Sequence, residues 1–107
     1  MTKLDNVKLQ KAIDILNNTQ VPQVKGSYHQ IVEIDRQYKY GFCALGILIE
    51  NMGEEKFNVT LKKKLEEVFS INALLWDLIA DLNDNENKSF KEIAQVLEHI
   101  KNTGYAQ

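Results

Sequence analysis

An almost unbroken apolar run in the middle of the chain is the strongest constraint on how it can fold. From Phe42 to Met52 the sequence reads FCALGILIENM and is apolar on every side until Glu50. A helix that is apolar all round has to be enclosed by other elements, and 107 residues can close one core but not two. We therefore predict a single domain over 1–107, built around a buried helix in which Gly46 allows close approach of another element. Gly53 is expected to end that helix in the left-handed conformation.

A helix of ordinary amphipathic spacing is predicted before this run. Apolar residues recur every three to four positions over about residues 6–18, and Asp5 or Asn6 can cap the first turn by accepting a hydrogen bond from an orphan amide. Pro22 prevents the helix from resuming.

The second half of the chain alternates helical segments with polar breaks. One helix starts after a cap at Asn58 or Thr60, a second covers Ala73–Leu82, and a third follows Ser89. Ser70–Asn72 separates the first two, either as a break capped by Asn72 or as a kink, and Asn83–Lys88 is predicted to be a turn-forming linker. Ser89 and Glu92 have the spacing of a capping box, which makes the last helix the best-marked element.

Residues 27–40 have a composition typical of β-strands and not of the helices on either side. Ser27–Ile34 and Tyr38–Tyr40 are rich in β-branched and aromatic residues around the polar turn Asp35–Gln37, a pattern that predicts a short hairpin. Because two strands alone are marginally stable, we expect the hairpin to lie against the helices. The predicted fold class is therefore α+β and mainly helical, with four or five helices packed with one short β-hairpin.

Composition and charge argue against a nucleic-acid-binding, secreted, membrane, disulfide-bonded or zinc-binding protein. The formal net charge is -2, and the 26% of charged residues form no block of one sign, which argues against nucleic acid as the partner. Lys25, Arg36 and Lys39 fall close together and could form a local basic patch. No secretory signal or membrane-length apolar stretch is present, so we expect a cytoplasmic protein with no membrane partner. The single cysteine, Cys43, can form neither an internal disulfide nor a multi-cysteine zinc site.

Cys43 is the one candidate nucleophile. At the start of a helix the dipole lowers a thiol pKa, and His29 precedes it in the hairpin, so a small cysteine-dependent enzyme is one alternative. Its apolar neighbours favour the other interpretation, a small buried side chain, and no orienting acid is evident. Asp77, Asp81 and Asp84 lack the pattern of a calcium loop and are interpreted as solvated helix charges. We predict no catalytic residue, no metal and no cofactor.

The turn Lys25–Gly26–Ser27 is the candidate binding site. Exposed amides at Gly26 and Ser27 beside the Lys25 ammonium could hold a phosphate or carboxylate, although the turn lacks a phosphate-loop signature and an ordinary turn is the alternative. The segment around Trp76 is either central core or partly a self-association surface, and core is the preferred interpretation.

Four short motifs in a fixed order resemble a group of small proteins encoded in phage and prophage regions. They are Gln23-Val24-Lys25-Gly26, Cys43-Ala44-Leu45-Gly46, Asn83-Asp84 and Ser89-Phe90-Lys91-Glu92-Ile93-Ala94. Val24 stands where the group often has glycine, and Ala44 where it often has a second cysteine, which argues against chemistry that requires two thiols. The resemblance implies a phage or mobile-element origin and transfers no catalytic residue.

The expected function is binding without catalysis, as a phage accessory protein that engages a host protein or a small anionic molecule. A sharper alternative is counter-defence, in which a small homo-oligomer sequesters a nucleotide immune signal. Stacking and phosphate neutralisation would then come from a predicted set of ligand-binding residues: Lys25, Gly26, Ser27, Tyr28, Arg36 and Tyr40. No helix-turn-helix pattern supports transcriptional regulation.

Overall fold

A computed structural model describes residues 4–52 and 61–103 of the chain. In that part the elements run in the order α1 (Asn6–Asn18), β1 (His29–Ile34), β2 (Gln37–Phe42), α2 (Ala44–Glu50), α3 (Leu61–Phe69), α4 (Ala73–Asp84) and α5 (Phe90–Thr103). The predicted fold class, mainly helical α+β with one hairpin, is confirmed. The predictions for Gly53, Asn58 and Thr60 lie outside the described residues.

Helix α2 lies at the centre of the core, as its apolar sequence requires. All of its residues from Ala44 to Ile49 are buried, and the helix contacts α1, α3 and α4. It is shorter than the run that predicted it, because Phe42 belongs to β2 and Cys43 is the N-cap. Gly46 has the predicted role, since a Cβ built on it would overlap the Tyr28 carbonyl oxygen.

Local capping explains where the outer helices begin. The Asp5 carboxylate accepts hydrogen bonds from the Val7 and Lys8 amides at the start of α1, and the Ser89 hydroxyl accepts one from the Glu92 amide at 3.1 Å. The Glu92 carboxylate accepts one from the Ser89 amide at 3.0 Å, which completes the predicted capping box. Helices α1 and α5 pack against each other along most of their lengths.

The segment between α3 and α4 is a break and not a kink. Ser70 adopts a positive φ of 60°, and the Asn72 side chain accepts a hydrogen bond from the Leu75 amide at 2.9 Å, as predicted for a cap. The Ser70 hydroxyl accepts a hydrogen bond from the Asp5 amide at 2.9 Å and so attaches the break to the start of α1.

Helix α4 extends two residues beyond its predicted end. Asn83 and Asp84 were predicted to begin a linker, but both are helical, and Asn83 is only 1% exposed. The linker prediction is wrong for these two residues. The helix continues because the Asn83 side chain forms buried hydrogen bonds with distant segments, and the polar composition of the 83–88 stretch does not reveal them.

The hairpin turns at Asp35 and Arg36, which both have positive φ, as a two-residue type I′ turn requires. Gln37, predicted to belong to the turn, pairs with Ile34 as the first strand residue. The expectation that the hairpin lies against the helices is wrong for all but its base: every residue of β1 except the half-buried Val32 is exposed, as are the first four of β2. None of the helices in the described ranges is long and apolar enough to cross a membrane.

Candidate ligand-binding cleft

A cleft of about 380 Å³ lies where the loop before the hairpin meets helices α2 and α4. A volume of this size accommodates a small organic molecule. The lining combines aromatic, apolar and polar side chains: Gly26, Ser27, Tyr28, Cys43, Leu45, Trp76, Ala80, Asn83 and Asp84.

Asn83 holds the walls of the cleft together. Its Oδ1 accepts hydrogen bonds from the Ala44 amide at 3.0 Å and from Gln23 Nε2 at 2.7 Å. Its Nδ2 donates to the Val24 carbonyl at 2.9 Å and to Asp84 Oδ1 at 2.8 Å. A buried amide side chain with all four of these bonds made is fixed in position, so Asn83 is a structural partner of the cleft and not a group available for chemistry.

Gln23 extends the same network to the last helix. Its Nε2 also donates to the Lys88 carbonyl at 2.8 Å, and its Oε1 accepts from the Phe90 amide at 3.0 Å. Gln23 further pairs with Phe42 in an isolated parallel bridge. The loop before the hairpin is therefore attached to β2, α4 and the start of α5.

Asp84 places a carboxylate at the cleft. Its Oδ1 accepts hydrogen bonds from the Gly26 amide at 3.1 Å and from the Asn83 side chain, whereas Oδ2 has no hydrogen-bond partner among the described residues. Gly26 takes a φ of 76°, which favours glycine. An incoming anion would have to displace this carboxylate in order to bind the Gly26 amide.

The aromatic wall consists of Tyr28 and Trp76. Their ring centroids are 6.1 Å apart in an edge-to-face arrangement, and the Lys62 ammonium lies 5.2 Å from the Trp76 ring centroid. Trp76 is buried, as the preferred core interpretation predicts, while Tyr28 is 42% exposed and supplies most of the accessible aromatic surface. Burial raises the pKa of the Tyr28 hydroxyl, with a smaller contribution from Cys43, so it stays protonated at neutral pH.

Cys43 is buried and performs a capping role. Its Sγ accepts a hydrogen bond from the Gly46 amide at 3.2 Å. Burial raises the thiol pKa above its ordinary value, and hydrogen bonds from the Gly46 and Leu45 amides offset only part of that rise. The helix terminus therefore does not activate the thiol, and the interpretation of Cys43 as a packing residue agrees with the structure. The His29 ring contacts Tyr40 and Phe42, and no hydrogen bond joins it to Cys43.

The cleft brings together only part of the predicted site. Gly26, Ser27 and Tyr28 line it, and Lys25 is an exposed neighbour outside the lining. Arg36 lies in the hairpin turn and Tyr40 on an exposed hairpin face, and neither lines the cleft.

Sequence reasoning missed Asn83, Asp84 and Gln23 as partners of one another. The signal was present in the four ordered motifs, because Asn83 and Gln23 join the Gln-x-Lys-Gly turn, the start of the cysteine helix and the Ser-Phe helix through the hydrogen bonds described above. The motifs therefore meet at one junction, which consists of the Asn83 and Gln23 side chains and the backbone groups that they bind at Val24, Ala44, Lys88 and Phe90.

Comparisons of the chain with protein-family models, with curated proteins and with solved structures found no match. Within residues 4–52 and 61–103, no group of three or more His, Cys, Asp or Glu side chains is placed to hold a metal ion.

Proposed function

We propose that the protein is a non-catalytic binding protein that holds a small, flat molecule in the cleft, through an N–H donor on that molecule. The observation that carries this proposal is Oδ2 of Asp84, a carboxylate oxygen that has no hydrogen-bond partner within residues 4–52 and 61–103 and belongs to an aromatic and apolar lining. We also propose that the protein is an accessory protein of a phage or mobile element, and this part of the proposal depends on the motif resemblance.

The composition of the lining defines the ligand class. Tyr28, Leu45 and Ala80 offer apolar surface for a planar ring, whose burial is favourable. The Asp84 carboxylate accepts hydrogen bonds but cannot donate them when ionised. An amino or amidine group on the ring therefore suits the cleft, and a carbonyl at the same position does not.

Matched nucleosides test this preference. Trp76 is the only tryptophan of the chain, so its fluorescence reports on the cleft. Adenosine and purine riboside differ only in the exocyclic amino group. We expect adenosine to bind at least about tenfold more tightly than purine riboside, since a hydrogen bond to a charged group contributes about 1.5–3 kcal/mol.

An Asp84→Asn variant should remove or reverse that preference, because the amide offers an N–H donor where the carboxylate offers an acceptor. Asp81→Asn is the matched control: Asp81 is exposed on the same helix, accepts a hydrogen bond from Asn85 and does not line the cleft. Failure to bind adenosine, cytidine or benzamidine, or equal binding of adenosine and purine riboside, would contradict the proposal.

Nucleotide sequestration is the second candidate, favoured by the exposed Lys25 next to Gly26. It predicts that AMP binds more tightly than adenosine and that Lys25→Glu weakens AMP alone. The unfolding free energy of that variant should change by at most about 0.5 kcal/mol, as for most exposed substitutions. Equal affinities for AMP and adenosine would exclude a phosphate subsite at Lys25.

The cysteine-enzyme alternative is tested by thiol labelling. A buried thiol with a raised pKa should react with a maleimide or disulfide reagent much more slowly than in the urea-unfolded chain. Rapid labelling of the folded protein at neutral pH would restore Cys43 as a candidate nucleophile.

A further inference from the structure

Among the residues that the structure describes, none pairs with the outer edge of strand β1. The hairpin is a two-stranded sheet, and β2 is the strand whose base is covered: the Phe42 amide donates to the Pro22 carbonyl at 2.8 Å, and the Phe42 carbonyl accepts from the Val24 amide at 3.0 Å. No corresponding partner lies along β1 in the part of the chain that the structure describes. An open strand edge is a template for pairing with another strand.

The hydrogen bonding at the base of the hairpin also determines which residues of β1 direct their backbone groups outward. The Tyr28 carbonyl accepts from the Cys43 amide at 3.2 Å, in phase with the hairpin register. Since backbone groups alternate in direction along an antiparallel strand, the even-numbered residues of β1 face β2. The amides and carbonyls of His29, Ile31 and Glu33 therefore face outward.

The side chains of the same three residues share one face of the hairpin with Tyr38 and Tyr40. Ile31 is 62% exposed, Tyr40 62% and Tyr38 76%. Apolar side chains beside an unpaired edge are an arrangement that soluble proteins ordinarily avoid or cover.

We propose that β1 pairs with β1 of a second copy of this chain, antiparallel about a two-fold axis at Ile31, to form a continuous four-stranded sheet. The choice of a second copy follows from self-complementarity. With the axis at Ile31, each His29 lies opposite the partner's Glu33, so an imidazole N–H meets a carboxylate at both ends of the paired segment, and the two Ile31 side chains meet at its centre. Moving the axis one residue to Val32 would instead place Glu33 opposite Ile31.

Self-association gives an isologous contact, in which one patch serves both subunits and the assembly closes as a dimer. The paired segment 29–33 contains none of the residues that line the cleft. The dimer and the cleft are therefore independent proposals, and either can fail without the other.

Sedimentation equilibrium of the full chain measures the association. We expect a monomer–dimer equilibrium, and Ile31→Lys should raise the dimer dissociation constant at least about tenfold, because two like charges would lie opposite each other in the sheet. Ile34→Lys is the matched control: it makes the same change in the same strand outside the paired segment and should leave the dissociation constant within about twofold of the parent value.

A charge exchange tests the register. Glu33→Lys alone should weaken the dimer, and His29→Glu combined with Glu33→Lys should restore it, because the exchanged pair again has opposite character. Far-UV circular dichroism verifies that each variant is folded. The proposal would be overturned if the parent chain remained monomeric up to about 1 mM, since a dissociation constant above that value corresponds to very weak association. It would also be overturned if Ile31→Lys and Ile34→Lys raised the dimer dissociation constant equally. Failure of the exchange to restore association would overturn the register.

Discussion

The junction around Asn83 and the exposed face of the hairpin invert the usual placement of polar and apolar groups. Asn83 is polar yet only 1% exposed, whereas Tyr38 is aromatic and 76% exposed. The first has all its hydrogen bonds made within the fold, and the second contributes little burial to it. Folding stability therefore depends on the junction, while the hairpin face is available for association, since a buried polar group and an exposed apolar patch are the two placements that require an explanation.

The largest effect is expected for Asn83→Ala. This change leaves the Ala44 amide and the Val24 carbonyl without their partner and should lower the unfolding free energy by about 3 kcal/mol, because buried unsatisfied groups are costly. Urea denaturation followed by circular dichroism measures it. An Asp81→Ala variant on the same helix is the control, and equal midpoints for both variants would show that the junction is not a stability centre.

A loss of comparable size, about 3 kcal/mol, is expected for Gly46→Ala, which tests the contact between the junction and the hairpin base. The new methyl group would overlap the Tyr28 carbonyl group, and because these are backbone atoms that cannot rotate away, the cost lies at the upper end of the roughly 1–3 kcal/mol typical of overpacking. Thermal unfolding and Cys43 labelling should both respond, because Tyr28 also accepts the Cys43 amide. Unchanged labelling and stability would mean that the hairpin base moves aside freely.

Ser89→Ala isolates the local cap of α5 from the long-range one. The unfolding free energy of the variant should fall by about 1 kcal/mol, which is typical of an N-cap serine. Gln23 Oε1 should still accept the hydrogen bond from the Phe90 amide. Bonds from the Ser89 amide and hydroxyl lower the pKa of the Glu92 carboxyl below its ordinary value of 4.5. The capping-box contribution is therefore present at neutral pH and is lost as the pH falls through that lowered pKa.

The unfolding free energies of the parent and of Ser89→Ala, measured by chemical denaturation, should accordingly differ less at acidic pH than at neutral pH. Glu92→Gln, which keeps a side-chain acceptor without the titration, is the matched control for the pH dependence. A difference that stays constant from neutral to acidic pH would remove Glu92 from the cap.

The smallest effect is expected on the hairpin side of the comparison. Tyr38→Ser should change the unfolding free energy by no more than about 0.5 kcal/mol, since an exposed side chain contributes little to folding. Denaturation at low protein concentration, where any dimer dissociates, is the appropriate measurement. A loss comparable to that of Asn83→Ala would show that the hairpin face is part of the stabilising structure.

Elements with local signals were predictable from the sequence, and the site was predictable only in part. The 6–18 helix, the Asn72 cap and the Ser89 capping box were identified from residues within a few positions of one another. Gly26, Ser27 and Tyr28 line the cleft, but the carboxylate that accepts a hydrogen bond from the Gly26 amide comes from 58 positions away. Sequence reasoning therefore identified the turn without the carboxylate that the fold places beside it.

The amino-acid pattern was enough to predict a buried central helix enclosed by amphipathic ones, because periodicity and caps act over one or two helical turns. Tertiary structure alone decided that Asn83 would extend α4 and meet Ala44, Val24 and Gln23, which lie 39, 59 and 60 positions from it. It also decided that the hairpin would project from the helices. A polar residue has the same local pattern in a solvated linker as in a buried junction, and only the partners that the folded chain brings within hydrogen-bond distance distinguish the two.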